Sequence, residues 1–150
     1  IAQEHKGKIH FSFMIAINAL CVSTFPEFIK WVIELQETYG LPINLRGSQV
    51  VYPLWLSPTI LNEEYAKFIS EAKELVDLNK LSDKEYLYGT WSDYSNQLTN
   101  VIKGIEDTNK NLDSRKMFVE RIDLLSSRRN LNFEKTFPEM VDFYNQCKLV

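Results

Sequence analysis

The sequence predicts a mixed α/β fold in which two parallel strands are each followed by a helix and the second half is helical. Two long apolar segments, near 8–19 and 43–52, have the composition of buried strands. Each is followed by apolar residues that recur at helical spacing, and after residue 80 the strand pattern ends. Alternation of strand and helix is typical of a parallel sheet with right-handed crossovers.

Length, charge and cysteine content limit the class of protein. The 150 residues fit one domain, and 17 basic against 20 acidic residues leave a net charge of −3, which argues against a general polyanion binder. Cys21 and Cys147 are too few for a disulfide framework or a four-cysteine metal site, so we expect free thiols in the cytoplasm. No segment reaches the roughly 18 apolar residues of a membrane span, and no membrane partner is expected.

The first strand and its helix have clear sequence signals. The near-continuous apolar run 8–20 predicts a strand that is buried on both faces, as in a parallel sheet. Thr24 and Glu27 have the spacing of a capping box, and Pro26 suits a first helical turn. Gly40 is placed to end the helix in the left-handed conformation.

The second strand is predicted over Ile43–Tyr52 with a bend at Gly47, because Pro53 and Pro58 do not fit a central strand. Asn62 is the expected N-cap of a second helix. The predicted core face of that helix comprises Tyr65, Phe68, Ile69, Ala72 and Val76.

The second half is predicted to be helical, and we divide the chain into 1–80, the strand and helix units, and 81–150, a helical extension. Ser82 with Glu85, and Thr136 with Glu139, have capping-box spacing. Two apolar stripes are predicted, the first at Leu98, Val101, Ile102 and Ile105 and a weaker one at Met117, Val119, Ile122 and Leu125. Met140, Val141 and Tyr144 are expected to face inward from the last helix.

Few residues suggest chemistry. No HExxH, CxxC, GxSxG, GxGxxG or Walker pattern occurs, and His5 and His10 have no partner at metal-ligand spacing. Asn18 interrupts an apolar strand near its carboxyl end, where α/β proteins hold ligands. It is either a ligand contact or an amide that pins a loop. The polar run 46–49 is either part of a site or a bulge with a surface arginine.

A basic cluster lies in the otherwise acidic chain, at Arg115, Lys116, Arg121, Arg128 and Arg129. It could bind phosphate. Acidic residues are interleaved with it, however, which favours an ion-paired helix face exposed to solvent. Nucleic acid is therefore not an expected partner.

Two strands do not form a stable sheet alone, so strands that are buried on both faces require neighbours from elsewhere. The chain also begins at Ile1 rather than Met. We therefore expect a piece of a longer protein whose other strands complete the sheet.

Two groups of residues carry a resemblance to a known family. The first is the tail in which Phe118, Asp123, Arg128 and Asn130 precede Phe137-Pro138-Glu139-Met140, and the second is the segment VVYPLWLSP at 50–58. Together they resemble radical S-adenosylmethionine (radical SAM) proteins with a twitch domain, which are common in phages and marine metagenomes. The resemblance covers most of 8–147.

The resemblance implies a partial (β/α)6 barrel of the TIM type, of which this chain would hold the last two strands and the C-terminal helices. In the family a CxxxCxxC loop binds a [4Fe–4S] cluster and S-adenosylmethionine. The loop is absent here, so the chain alone is expected to bind no cluster, and its partner would be the missing N-terminal half of the barrel. By position, Asn18 and Tyr52 would contact the cofactor. The substrate is unknown, and a peptide is a guess from related proteins.

The alternative to an enzyme fragment is a non-catalytic α/β binding or scaffold module, which could be encoded by a phage. In either case the spacing of Asp123, Arg128 and Asn130 does not place Asp123 and Arg128 as a pair on one helix. We predict a structural latch that holds the tail in place, with Phe137 buried, rather than a catalytic cluster.

Overall fold

The computed structural model describes residues 11–40, 43–79 and 91–150. The first half consists of β1 (Phe11–Ile17), α1 (Phe25–Tyr39), β2 (Ile43–Gln49) and α2 (Ala66–Leu78), with three short 3-10 turns between β2 and α2. The second half consists of α3 (Trp91–Glu106), α4 (Leu112–Arg129), α5 (Phe133–Thr136), one 3-10 turn and α6 (Val141–Cys147). The mixed, mostly helical α/β class is confirmed. The predictions for His5, His10 and the Ser82 capping box lie outside the described residues.

The two strands are parallel neighbours, as predicted. Their register runs without interruption from Phe11 opposite Ile43 to Ile17 opposite Gln49. The predicted bend or bulge at Gly47 is therefore wrong. A Cβ atom on Gly47 would lie 2.1 Å from the Ile15 carbonyl oxygen, so the strands approach each other too closely there for any side chain.

The prediction that both faces of the strands are buried is wrong for β1. The side chains alternate, because Phe13, Ile15 and Ile17 pack on or within the core, whereas Met14 is 80% exposed. Ser12 and Ala16 share the exposed face with Met14. The apolar run concealed this alternation, since methionine and alanine count as apolar on either face.

The core is one cluster of buried side chains that extends from Ile17 to Cys147. The stripe of α3 is confirmed, with Leu98, Val101 and Ile105 fully buried. The stripe predicted for α4 is largely wrong. Its buried residues are Ser114, Phe118 and Ile122, which repeat every four residues, while Met117 and Leu125 are exposed.

The helix ends differ from the predicted capping boxes. Thr24 precedes α1 but makes no side-chain cap, since its Oγ1 donates to the Cys21 carbonyl (3.4 Å). Thr136 lies inside α5. Side-chain caps come instead from Asn111, which accepts from Ser114 N (2.9 Å), and from Asn132, at the start of α5.

Gly40 does end α1 in the left-handed conformation, with φ of 59°, as predicted. Among the described helices, none is long and apolar enough to cross a membrane.

Candidate functional site

The carboxyl ends of β1 and β2 lie side by side because the strands are parallel. Val50 N donates to the Ile17 carbonyl (2.8 Å), and Ala19 N donates to the Leu56 carbonyl (2.8 Å). The segment that follows β2 therefore crosses the end of β1. This arrangement brings the residues that follow both strands together at the carboxyl ends of the strands, where ligands of α/β proteins commonly bind.

One face of this sheet is left uncovered by the helices that the structure describes. The register places Met14 opposite Arg46 and Ala16 opposite Ser48, so these four residues share that face. We name them the open face. Ser48 and Ala16 are exposed, and Arg46 is half-buried. The polar run at 46–49 thus contributes to an ordinary strand, with Arg46 and Ser48 on one face and Gly47 and Gln49 on the other.

A cleft of about 420 Å³ runs along β1 and the first turns of α1. Its apolar lining includes Phe13, Phe25 and Phe28, and its polar lining comprises Asn18, Cys21 and Thr24. We name it the edge cleft. Its volume lies in the range of sites for small molecules, roughly 300–1,000 Å³. The edge cleft could hold an apolar or aromatic group beside a few hydrogen-bonding atoms.

Asn18 lines the edge cleft, but its side chain is also used by the turn after β1. Its Oδ1 accepts from Leu20 N (3.0 Å), and its Nδ2 lies 3.5 Å from the Ala16 carbonyl oxygen. Of the two interpretations, the amide that pins a loop has direct geometric support. Because the contact to Ala16 is long, Nδ2 is the atom of Asn18 that could donate to a ligand while Oδ1 keeps its bond to Leu20.

Tyr52 does not line the edge cleft. Its side chain is 86% exposed, and its peptide bond to Pro53 is cis. The structure therefore places Asn18 and Tyr52 in segments that meet at the carboxyl ends of the two strands, but the two side chains do not share one pocket.

Cys21 is held inside the same turn as Asn18. Its Sγ accepts from Asn18 N (3.2 Å) and lies 3.3 Å from the Asn18 carbonyl oxygen, to which it can donate. Burial raises the pKa of the Cys21 thiol. Because the thiolate is the nucleophilic form, this environment does not favour covalent chemistry at neutral pH.

Metal-ligating side chains do not gather in the described part of the chain, which contains no group of three from His, Cys, Asp and Glu. Cys147 is buried, and its desolvation raises its pKa to about 11. The [4Fe–4S] cluster that the resemblance implies needs three thiolate ligands, whereas the described residues contain two cysteines, Cys21 and Cys147.

The basic cluster divides into two parts with different surroundings. Arg115 donates from Nε to the Ile60 carbonyl (2.8 Å) and from Nη2 to Asn62 Oδ1 (2.8 Å). Its guanidinium also lies over the Phe143 ring, 5.4 Å from the centroid. Arg115 therefore joins the segment after β2 to α4 and α6, and Asn62 serves this network instead of capping a helix. The other four basic residues are exposed along α4.

The tail makes the contacts of a latch through Asp123 and Asn130, as expected, but with a different buried aromatic residue. The Tyr144 hydroxyl donates to Asp123, and Asn130 ends α4 in the left-handed conformation with φ of 51°. Phe137 is only half-buried, so the prediction of a buried Phe137 is corrected. The buried aromatic residue is Phe133, whose ring lies 4.8 Å from that of Tyr144.

Sequence reasoning missed several residues that matter here. Phe25 and Phe28 line the edge cleft, and their place at the start of an amphipathic helix after a strand could have indicated it. Tyr94 is fully buried at the first turn of α3, and its hydroxyl has no hydrogen-bond partner among the described residues. Its spacing of four from Leu98 would have extended the predicted stripe.

Comparison with known proteins adds no relative: no protein-family model, no curated protein and no solved structure matches the chain.

Proposed function

We propose that this chain is the C-terminal part of a radical SAM enzyme and forms the last two strands of its partial barrel. In this arrangement the apolar face of the sheet packs on the surrounding helices, and the open face lines the interior of the barrel. The [4Fe–4S] cluster and S-adenosylmethionine would be bound by the N-terminal half, since the described residues do not fit a cluster.

One observation carries this proposal, namely the open face of a parallel two-stranded sheet. Parallel sheets occur almost entirely with both faces covered, and two strands alone are not stable. Met14 at 80% exposure is therefore unusual for the middle of a parallel strand. A barrel provides an interior for such residues and further strands for the edge of β1.

The edge of β1 that faces away from β2 supports the same arrangement, because no strand within 11–40, 43–79 or 91–150 pairs with it. The carbonyl groups of Ile15 and Ile17 point toward β2. The Ile17 carbonyl accepts from Val50 N, and the Ile15 carbonyl lies against Gly47. The Ala16 carbonyl faces the opposite edge, beside Asn18 and Cys21. Another parallel strand, supplied by the N-terminal half, would pair at this edge. In the complete enzyme, Asn18 and Tyr52 would then lie at the carboxyl rim of the barrel, where we propose that they contact the cofactor.

The class of enzyme is tested on the longest open reading frame that contains this sequence. Its product should contain a CxxxCxxC loop, bind iron and sulfide after anaerobic purification, and form 5′-deoxyadenosine from S-adenosylmethionine with dithionite. A product without that loop and without bound iron would refute the assignment.

The barrel geometry is tested separately by chemical labelling. A Met14→Cys variant should react readily with a maleimide in this chain alone and slowly in the complete protein, because the barrel encloses the open face. A Glu37→Cys variant on the exposed side of α1 is the control and should react equally in both forms. Equal labelling of Met14→Cys in both forms would contradict the barrel.

A second candidate function is a non-catalytic module that binds a small molecule, and the edge cleft favours it. The cleft forms within this chain and has aromatic walls. A small aromatic probe such as 8-anilinonaphthalene-1-sulfonate should then bind to the chain alone, and Phe28→Ala should weaken that binding. The barrel proposal expects instead that this probe is excluded once the N-terminal half is present.

A further inference from the structure

One side of α4, which adjoins its buried line, carries exposed apolar and basic residues that neither proposed function uses. We name these residues the α4 stripe, and its members are Met117, Arg121, Leu124, Leu125 and Arg128. Their spacings of four, seven, eight and eleven residues from the first place them along one side of a helix. The buried line of α4 is a different one, at Ser114, Phe118 and Ile122.

The apolar members of the α4 stripe are accessible to a partner. Met117 is 40% exposed, Leu124 is 37% exposed and Leu125 is 39% exposed. Met117 and Leu124 lie two turns apart on this side of α4 with Arg121 between them, and Leu125 lies next to the buried line. A helix side of this kind is what a second amphipathic helix packs against.

The charge of the α4 stripe is entirely positive. Arg121 and Arg128 are seven residues apart and follow Met117 and Leu124, respectively, by four residues. In the described part of the chain, no acidic group lies within 4.0 Å of either guanidinium, so the expected ion-paired helix face is not formed. Both arginines therefore remain available to carboxylates on a partner.

We propose that the α4 stripe binds an acidic amphipathic helix of another polypeptide, whose leucine-type residues pack on Met117 and Leu124 and whose carboxylates pair with Arg121 and Arg128. Met117, Arg121, Leu124 and Arg128 have the 4-3-4 spacing of a seam between two helices, so apolar residues and arginines alternate along it. Charge complementarity would select the partner and its register.

Other occupants fit the stripe less well. In a symmetric dimer the stripe would face itself and bring the arginines of both copies together. A nucleic acid would meet apolar side chains between the two cations, and Glu120 lies beside them on α4. An anionic membrane would also meet Glu120 and Asp113, while the apolar side chains are too few and too shallow for insertion.

The test measures binding of two synthetic helices by fluorescence anisotropy. The first alternates leucine and glutamate along its seam, and the second has lysine in place of glutamate. The glutamate peptide should bind, and the Arg121→Glu/Arg128→Glu double variant should lower its affinity by about tenfold or more, since two attractions become repulsions. The matched control, Lys103→Glu/Lys116→Glu, has the same change of charge outside the stripe and should bind like the unmodified chain.

Several results would overturn the proposal. Equal binding of both peptides, or equal loss of affinity in the control variant, would show that the arginines of the stripe do not select the partner. Tighter binding to vesicles of equal parts phosphatidylglycerol and phosphatidylcholine, or to duplex DNA, would assign the surface to a membrane or to nucleic acid. Circular dichroism of each variant verifies that the fold is retained.

Discussion

Replacement of Gly47 by alanine should destabilise the protein because the two strands approach each other closely at that point. The added Cβ would lie 2.1 Å from the Ile15 carbonyl oxygen and 2.9 Å from Ile15 Cβ. Ordinary contact begins near 3.4 Å, so the backbone of β1 would have to move by more than 1 Å. A flexible side chain could adapt to such a contact, but a hydrogen-bonded strand cannot do so without disturbing the ladder.

The expected loss of free energy of unfolding is about 2–3 kcal/mol. Overpacking in well-packed structure costs roughly 1–3 kcal/mol, and one weakened ladder hydrogen bond adds about 1 kcal/mol. Alanine offsets part of this, because it has less backbone entropy to lose than glycine, by roughly 0.5–1 kcal/mol. Urea denaturation followed by circular dichroism at 222 nm measures the difference, provided that the slope with denaturant is unchanged.

A matched control is Gly104→Ala, in the last turn of α3. Its Cβ would lie 3.0 Å from the Thr59 methyl group, which can move, and alanine gains about 1 kcal/mol of helix propensity. We expect a change within about 1 kcal/mol of zero for this variant. If Gly47→Ala proved as stable as Gly104→Ala, the close approach of β1 and β2 would be wrong.

Three further predictions concern the tail. Phe133→Ala should lower the free energy of unfolding by about 3–5 kcal/mol and Phe137→Ala by clearly less, because Phe133 is 8% exposed and Phe137 is half-buried. Urea denaturation measures both values, and a larger loss for Phe137→Ala would contradict this packing. Tyr144→Phe should cost about 1–2 kcal/mol by removing the bond to Asp123, and Asp123→Ala combined with it should add little in a double-mutant cycle. Because burial raises the pKa of Cys147 from 9.0 to about 11, its contribution to stability should be constant below pH 9 and be lost between pH 9 and 11, where the unfolded thiol ionises first. Cys147→Ala should reduce the fall in stability in denaturation curves at pH 8 and 10, and an identical fall would refute the assignment.

The predictable part of the fold was local. The order of strand and helix, the end of α1 at Gly40 and the buried stripe of α3 each follow from residues within one or two turns of one another. The parallel pairing of β1 and β2 followed as well, because a helix between two strands leaves few other connections.

The failures arose where a choice depended on distant residues. The core face of α4 was predicted correctly only at Ile122, because α4 carries apolar residues around its circumference and its packing against α6 and the 3-10 turn Leu54–Leu56 buries Phe118 instead of Met117 and Leu125. Side chains that appeared to be caps found other partners, as when Asn62 bound Arg115 from more than fifty positions away.

The candidate site shows the same division. The sequence by itself determined that Asn18 would end an apolar strand near the sheet's carboxyl edge, since a polar amide in such a run marks a boundary. Only the tertiary structure decided that its oxygen would be used by the turn, that Tyr52 would lie outside the edge cleft and that Met14 would share an open face with Arg46. The physical reason is that composition fixes which residues prefer burial, whereas register and packing determine which of them have a neighbour to be buried against.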